Sequence, residues 1–173
     1  MPREGATALV VPLPEADPLL AAVAARFPDA VRPLPAHVTL LYPFLPADAL
    51  DDRVLAALDE VFADRPPLRV EFAECRRATG FTALLPDPAQ GLSGLVGDLR
   101  RRWPDLLPYD GRFGTDVDPH LTVALNTAEA TAEAVAREII PEFTPIRAHL
   151  REARLIALQS RWQLRRRFEF TGS

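Results

Sequence analysis

Two histidines of this 173-residue chain sit in the same local pattern: Pro35-Ala36-His37-Val38-Thr39-Leu40 and Asp118-Pro119-His120-Leu121-Thr122-Val123. Each copy reads His, aliphatic, Thr, aliphatic. Side chains alternate faces along a strand, so His37 and Thr39 share one face while Val38 and Leu40 take the other, and the same holds for His120 and Thr122. One face can bury its aliphatics in a core while the other holds an imidazole and a hydroxyl in a cleft. The histidines are 83 positions apart, close to half the chain. Two lobes related by pseudo-symmetry would therefore gather two imidazoles and two hydroxyls at one place.

That constellation suits phosphodiester chemistry. An imidazole titrates near pH ~6.5, so one ring can be neutral and the other protonated at the same pH. The neutral ring takes a proton from a water or hydroxyl nucleophile, and the charged ring gives one to the leaving oxygen. Each such transfer contributes roughly 10²–10⁴-fold. The threonine hydroxyls can donate to the non-bridging phosphoryl oxygens, where charge must be held in the transition state. No metal or other cofactor is required. A lone His-x-Thr arises easily by chance, but two copies, each closely preceded by proline, use two of only three histidines. His149, in Ala148-His149-Leu150, has no following threonine and reads as packing at a strand edge.

Two rival readings exist. Asp116, Asp118 and His120 have i, i+2, i+4 spacing, which on a straight strand would turn all three to one face as metal ligands. Pro119 interrupts that ladder, and the first copy offers Pro33 and Pro35 where carboxylates would be needed. The other rival is a non-catalytic module that binds nucleotides or RNA without turning them over. Among the remaining residues, Tyr42, Phe81 and Phe113 can stack on a base, although core packing is the commoner role for such side chains. Arg76-Arg77, Arg100-Arg101-Arg102 and Arg165-Arg166-Arg167 offer possible phosphate contacts, of which Arg76 is the candidate for the site.

The elements that must position these groups are readable from apolar periodicity and from the 18 prolines, which fall mainly at element ends. Strands are predicted at Ala6–Leu13, Ala36–Tyr42, Leu68–Cys75, Phe81–Leu85, His120–Leu125 and Trp162–Phe170, with one or two more in Ile146–Gln159. Helices are predicted at Asp17–Phe27, Asp51–Ala63, Leu92–Trp103 and Ala128–Ile140. The strands are short and half polar, which favours an α+β fold with antiparallel sheets over a doubly wound parallel one. No linker divides residues 1–173, which read as one domain. Hydrophobic residues make up 48% and charged residues 25% of the chain, and no apolar stretch has the roughly 20 residues of a membrane span. The N-terminus lacks a signal-peptide pattern, so a cytoplasmic monomer is expected. All 20 basic residues are arginine, yet the net charge is −4. Contact with nucleic acid should then be local rather than spread over a basic surface. Cys75 is alone, cannot form an intrachain disulfide, and reads as a small buried residue.

On its two His-x-Thr motifs the chain resembles the 2H phosphoesterase superfamily, in its 2′-5′ RNA ligase-like branch. Leu41-Tyr42-Pro43-Phe44 after the first motif and Pro108-Tyr109-Asp110-Gly111-Arg112-Phe113 before the second are similar to a bacterial subgroup of that branch, and Trp162–Phe170 resembles its closing strand. The resemblance implies a bilobal, pseudo-symmetric α+β fold with helices outside and a central cleft. It implies His37 and His120 as acid and base, and Thr39 and Thr122 as phosphate ligands. The partner it implies is a nucleotide or an RNA terminus carrying a 2′,3′-cyclic phosphate or a 2′-5′ linkage.

Overall fold

The computed structural model describes residues 2–173. Eight strands form one antiparallel sheet: β1 (Thr7–Pro12), β2 (His37–Leu41), β3 (Leu68–Ala78), β4 (Phe81–Asp87), β5 (Leu121–Ala124), β6 (Ile146–Leu150), β7 (Glu152–Gln159) and β8 (Arg161–Glu169), in the spatial order β6-β3-β4-β5-β2-β1-β7-β8. Four helices accompany them: α1 (Asp17–Arg26), α2 (Asp52–Phe62), α3 (Gln90–Arg102) and α4 (Glu129–Ala134). The class is α+β, as expected. The two expected lobes are halves of one sheet, joined at β2 and β5 by the single register pair Val38↔Leu121.

Local chemistry explains the boundaries. The Asp51 carboxylate caps α2 by accepting from Val54 N at 2.9 Å, satisfying an N–H that the helix cannot bond internally. Leu58, Val61 and Phe62 of α2 then face the core at helical spacing. The helix expected over residues 128–140 is α-helical only to Ala134; a π-helical turn covers Val135–Ile139 before Pro141. The segment expected to hold one or two strands holds two, β6 and β7, separated at Arg151.

β1-α1-β2 and β4-α3-β5 are corresponding units, and their helices cross over, since α1 packs on β5 and α3 packs on β2. The registers match as well. Val11 is opposite Val38 and Val10 opposite Thr39 in one unit; Leu84 is opposite Leu121 and Ala83 opposite Thr122 in the other. Leu9, Val11, Val38, Leu84, Leu121 and Val123 join the helices in the buried core, so the sheet's other face is left to the paired motifs. Cys75, expected to be buried, is exposed. β6 covers β3 only over Leu68–Phe72, and Cys75 lies beyond that cover. His149 does lie on the edge strand β6, away from the motifs. Among the described residues no helix is long and apolar enough to cross a membrane.

Candidate active site

The Val38↔Leu121 pair is the hub of the site. In an antiparallel register, the residues flanking such a pair stand opposite one another and point to the same face. Thr39 is thereby set beside His120, and His37 beside Thr122. The four candidates form a compact quartet, each histidine next to the threonine of the other motif.

Both imidazoles are held in the same way. His37 Nδ1 lies 2.8 Å from Pro35 O, and His120 Nδ1 lies 2.8 Å from Asp118 O. A carbonyl oxygen only accepts, so each Nδ1 carries the hydrogen and each Nε2 is the nitrogen left for chemistry. The local sequence arranges this. Asp17 Oδ1 accepts from Ala36 N at 2.8 Å, tying the start of α1 to the entry of β2. Arg100 Nη1 donates to Thr115 O at 2.7 Å, tying α3 to the loop that leads into His120. His120 stands one residue before β5 rather than inside it, because Pro119 has no N–H to extend the ladder.

Burial pushes both imidazoles below their ordinary range, with the two carbonyl bonds opposing it. His37 is pushed further down by Arg32 and by His120. His120 is pushed down by Arg76 and up by Asp118. Phe81 meets His120 edge-on, with ring centres 5.6 Å apart, and among the described residues His37 has no such neighbour.

Arg76 sits above Ala83, next to Thr122 in the strand ladder, and its Nη1 is 3.5 Å from Asp118. Asp118 is thus turned to an arginine. Among the described residues no group of three His, Cys, Asp or Glu is arranged to hold a metal, the trio Asp116, Asp118 and His120 included. Tyr42, Phe81 and Phe113 are not core residues: the first two are half-buried, and Phe113 is 67% exposed. Tyr42 and Phe113 belong to an aromatic row, Phe113-Tyr109-Tyr42-Trp162, with successive ring centres 5.6, 6.1 and 6.2 Å apart. Arg101 and Arg102 are engaged by Asp98 and Glu60 on the helical side, and Arg166 by Asp59 of α2 at 2.7 Å. None of those three faces the cleft.

Sequence reasoning missed Tyr109. Burial raises its hydroxyl, and the Thr39 side chain, which lines the same pocket, opposes that. Its N–H donates to Tyr42 O at 2.6 Å. Tyr109, Asp110 and Gly111 all have positive φ, at 52°, 56° and 78°. Two successive non-glycine residues in this region cost roughly 1–2 kcal/mol each, strain of a kind that gathers at functional sites. The sequence signals were Gly111 and the resemblance of the Pro108–Phe113 segment, neither of which gave Tyr109 a role.

A family model described as the 2′-5′ RNA ligase superfamily matches residues 11–162. Among solved structures, TT0787 of Thermus thermophilus superposes with a TM-score of 0.69 at 19% identity, covering 97% of this chain and 99% of that one. E. coli LigT complexed with 3′-AMP gives 0.66 at 18% identity, covering 98% and 99%. A structure described as a phosphoesterase gives 0.64 at 20% identity, covering 96% and 99%. No curated protein matches the chain.

Proposed function

We propose that this chain, which belongs to the 2′-5′ RNA ligase superfamily, is a metal-independent phosphoesterase that opens 2′,3′-cyclic phosphates or cleaves, and reversibly forms, 2′-5′ linkages of nucleotides or RNA ends. The observation that carries the reading is the duplicated imidazole arrangement, in which both Nδ1 atoms are bound at 2.8 Å to a carbonyl two residues upstream. Two rings prepared alike, each beside a threonine, supply the parts that an acid–base cleavage of a phosphodiester needs. The structures of E. coli LigT with 3′-AMP, ATP and NADP+ add support, since each holds a nucleotide in a protein of the same fold.

In this mechanism the neutral histidine accepts a proton at Nε2 from the attacking water. The charged histidine gives its Nε2 proton to the departing ribose oxygen. Thr39 and Thr122 donate to the non-bridging oxygens, with the Tyr109 ring beside Thr39 in the cleft. Arg76 offers a charge to the substrate backbone beside the reacting phosphate, while Phe81 and the row containing Tyr42 and Phe113 offer faces for the base. The whole of residues 1–173 acts as one catalytic unit.

The test is incubation of the purified protein with a panel of 2′,3′-cyclic nucleotides and 2′-5′ dinucleotides, with products identified by mass and chromatography. Turnover is expected to survive exhaustive chelation. Binding of every member of the panel without consumption of any would overturn the reading in favour of a binding module.

A further inference from the structure

The pseudo-two-fold extends beyond the quartet. Counting outward from Thr122, the same-face neighbours are Ala83 on β4 and then Arg76 on β3. Counting outward from Thr39, they are Val10 on β1 and then Arg154 on β7. Each threonine therefore has an arginine two strands away, across one small or apolar side chain. Two strand spacings put each arginine Cα about 10 Å from its threonine, with a long side chain able to lean back over the intervening residue. β7 alternates as this requires: Ala153 and Leu155 enter the core, and Arg154 lies on the opposite face.

Both guanidinium groups touch a carboxylate without being used up by it. Glu152 Oε2 accepts from Arg154 Nε at 2.7 Å, which leaves the N–H groups of both Nη atoms. Asp118 meets Arg76 at Nη1 only, and that pair is 52% and 74% exposed, the kind of ion pair that contributes little. Arg77, one residue along, shows the contrast: it lies opposite Thr82, on the helical side, and is bound by Glu129 of α4. A planar fork with several free donors fits phosphate oxygens.

We infer that Arg76 and Arg154 are symmetry-related anion anchors for the phosphates on either side of the scissile one, so that the cleft selects a linear nucleotide carrying a phosphate on each flank. This rests on the proposed phosphodiester reaction at the quartet and adds a substrate length and two specificity-determining residues to it.

The test compares two 2′-5′-linked compounds, NpN with its single internal phosphate and pNpNp with one more at each end. Each is also made with a non-cleavable methylenephosphonate linkage for equilibrium binding. The wild-type protein is expected to bind the three-phosphate analogue about a hundredfold tighter, each arginine contributing about tenfold. Arg76→Gln and Arg154→Gln each remove about tenfold of that preference while leaving the one-phosphate analogue within about twofold. Each also lowers the slope of log affinity against log salt by about 0.7. Arg77→Gln keeps the preference. Arg154→Lys, which preserves charge and stem packing, keeps the salt slope but loses affinity. Equal binding of the two analogues by the wild type, or equal weakening of both by the variants, would overturn the anchors. An intact binding preference with no turnover of either cleavable compound would instead sink the 2′-5′ cleavage in the proposed reaction and leave the anchors standing.

Discussion

His37 and His120 hang from carbonyls two residues upstream at the same 2.8 Å, yet the groups around the two rings differ. Arg32 presses on His37, while Arg76, Asp118 and the edge of Phe81 surround His120. Tyr109 lines the cleft beside Thr39, in a pocket whose lining does not include Thr122. The repeated backbone supplies two equivalent positions, and side chains outside the repeat make them unequal. An acid–base pair needs both properties, because the rings must reach the same phosphate while carrying different protons. In the proposed reaction, repetition of main chain would deliver the reach and divergence of neighbours the difference.

Removing either ring has the largest expected effect. His37→Ala and His120→Ala are each expected to lower kcat by roughly 10²–10⁴-fold, with far-ultraviolet circular dichroism unchanged. The double variant should be little worse than the weaker single one, because groups that act as a unit are not additive. A single variant with wild-type turnover would remove its ring from the reaction. Next in size come the hydroxyls: Thr39→Val and Thr122→Val should each lower kcat by about 10²-fold if they hold transition-state charge. Unequal losses would show how much Tyr109 adds on the Thr39 side. Equal losses would deny it a part.

Much of this was legible in the sequence because the relevant signals are local. Proline before each motif, alternation inside it and helical spacing ahead of the first were enough to place β2, β5 and α1 within a residue or two. The resemblance implied an open cleft, and the register of the structure sets each histidine beside the other motif's threonine. Register was not legible. Nothing along the chain says that Val38 faces Leu121, or that the two lobes share one sheet, since pairing depends on which edges remain free after the helices have packed. Arg154 went unnoticed for the same reason, because its place above Val10 exists only once β7 lies beside β1. Tyr109 was hidden in a turn-rich segment whose left-handed residues carry a glycine only at the third position. Cys75 misled because lone cysteines are usually buried, whereas here the neighbouring strand ends too early to cover it.

The shared feature of the halves, burial of both rings, has its own consequence for pH. Each imidazole is lowered from about 6.5, so below that pH the unfolded chain binds protons more readily than the folded one. Stability should therefore fall as pH drops from about 6.5 toward the lower folded values, levelling off below them. Urea midpoints measured across that range check the sign, and His37→Asn should flatten part of the slope. For the same reason the bell of kcat/KM, which reports the free protein, should peak on the acid side of about 6.5. A peak in the alkaline range would contradict the burial of at least one ring.

The smallest expected effect separates the halves most cleanly. Asp118 raises His120 and is not among the groups that perturb His37, so Asp118→Asn should lower one imidazole and leave the other nearly in place. His120 loses a favourable charge while Arg76, released from its 3.5 Å contact, continues to push it down. Its titration, followed by proton resonance of the ring, moves to lower pH, and the resonance of His37 moves little and only upward, as the opposing charge on His120 is relieved. The limb of the kcat/KM profile that moves with it belongs to His120. If the moving limb is the acidic one, where activity is gained by losing a proton, His120 is the base. If it is the basic limb, His120 is the acid. Coincident movement of both resonances would mean that the two rings titrate as a coupled pair, and the unlikeness of their surroundings would then have no separate effect on either.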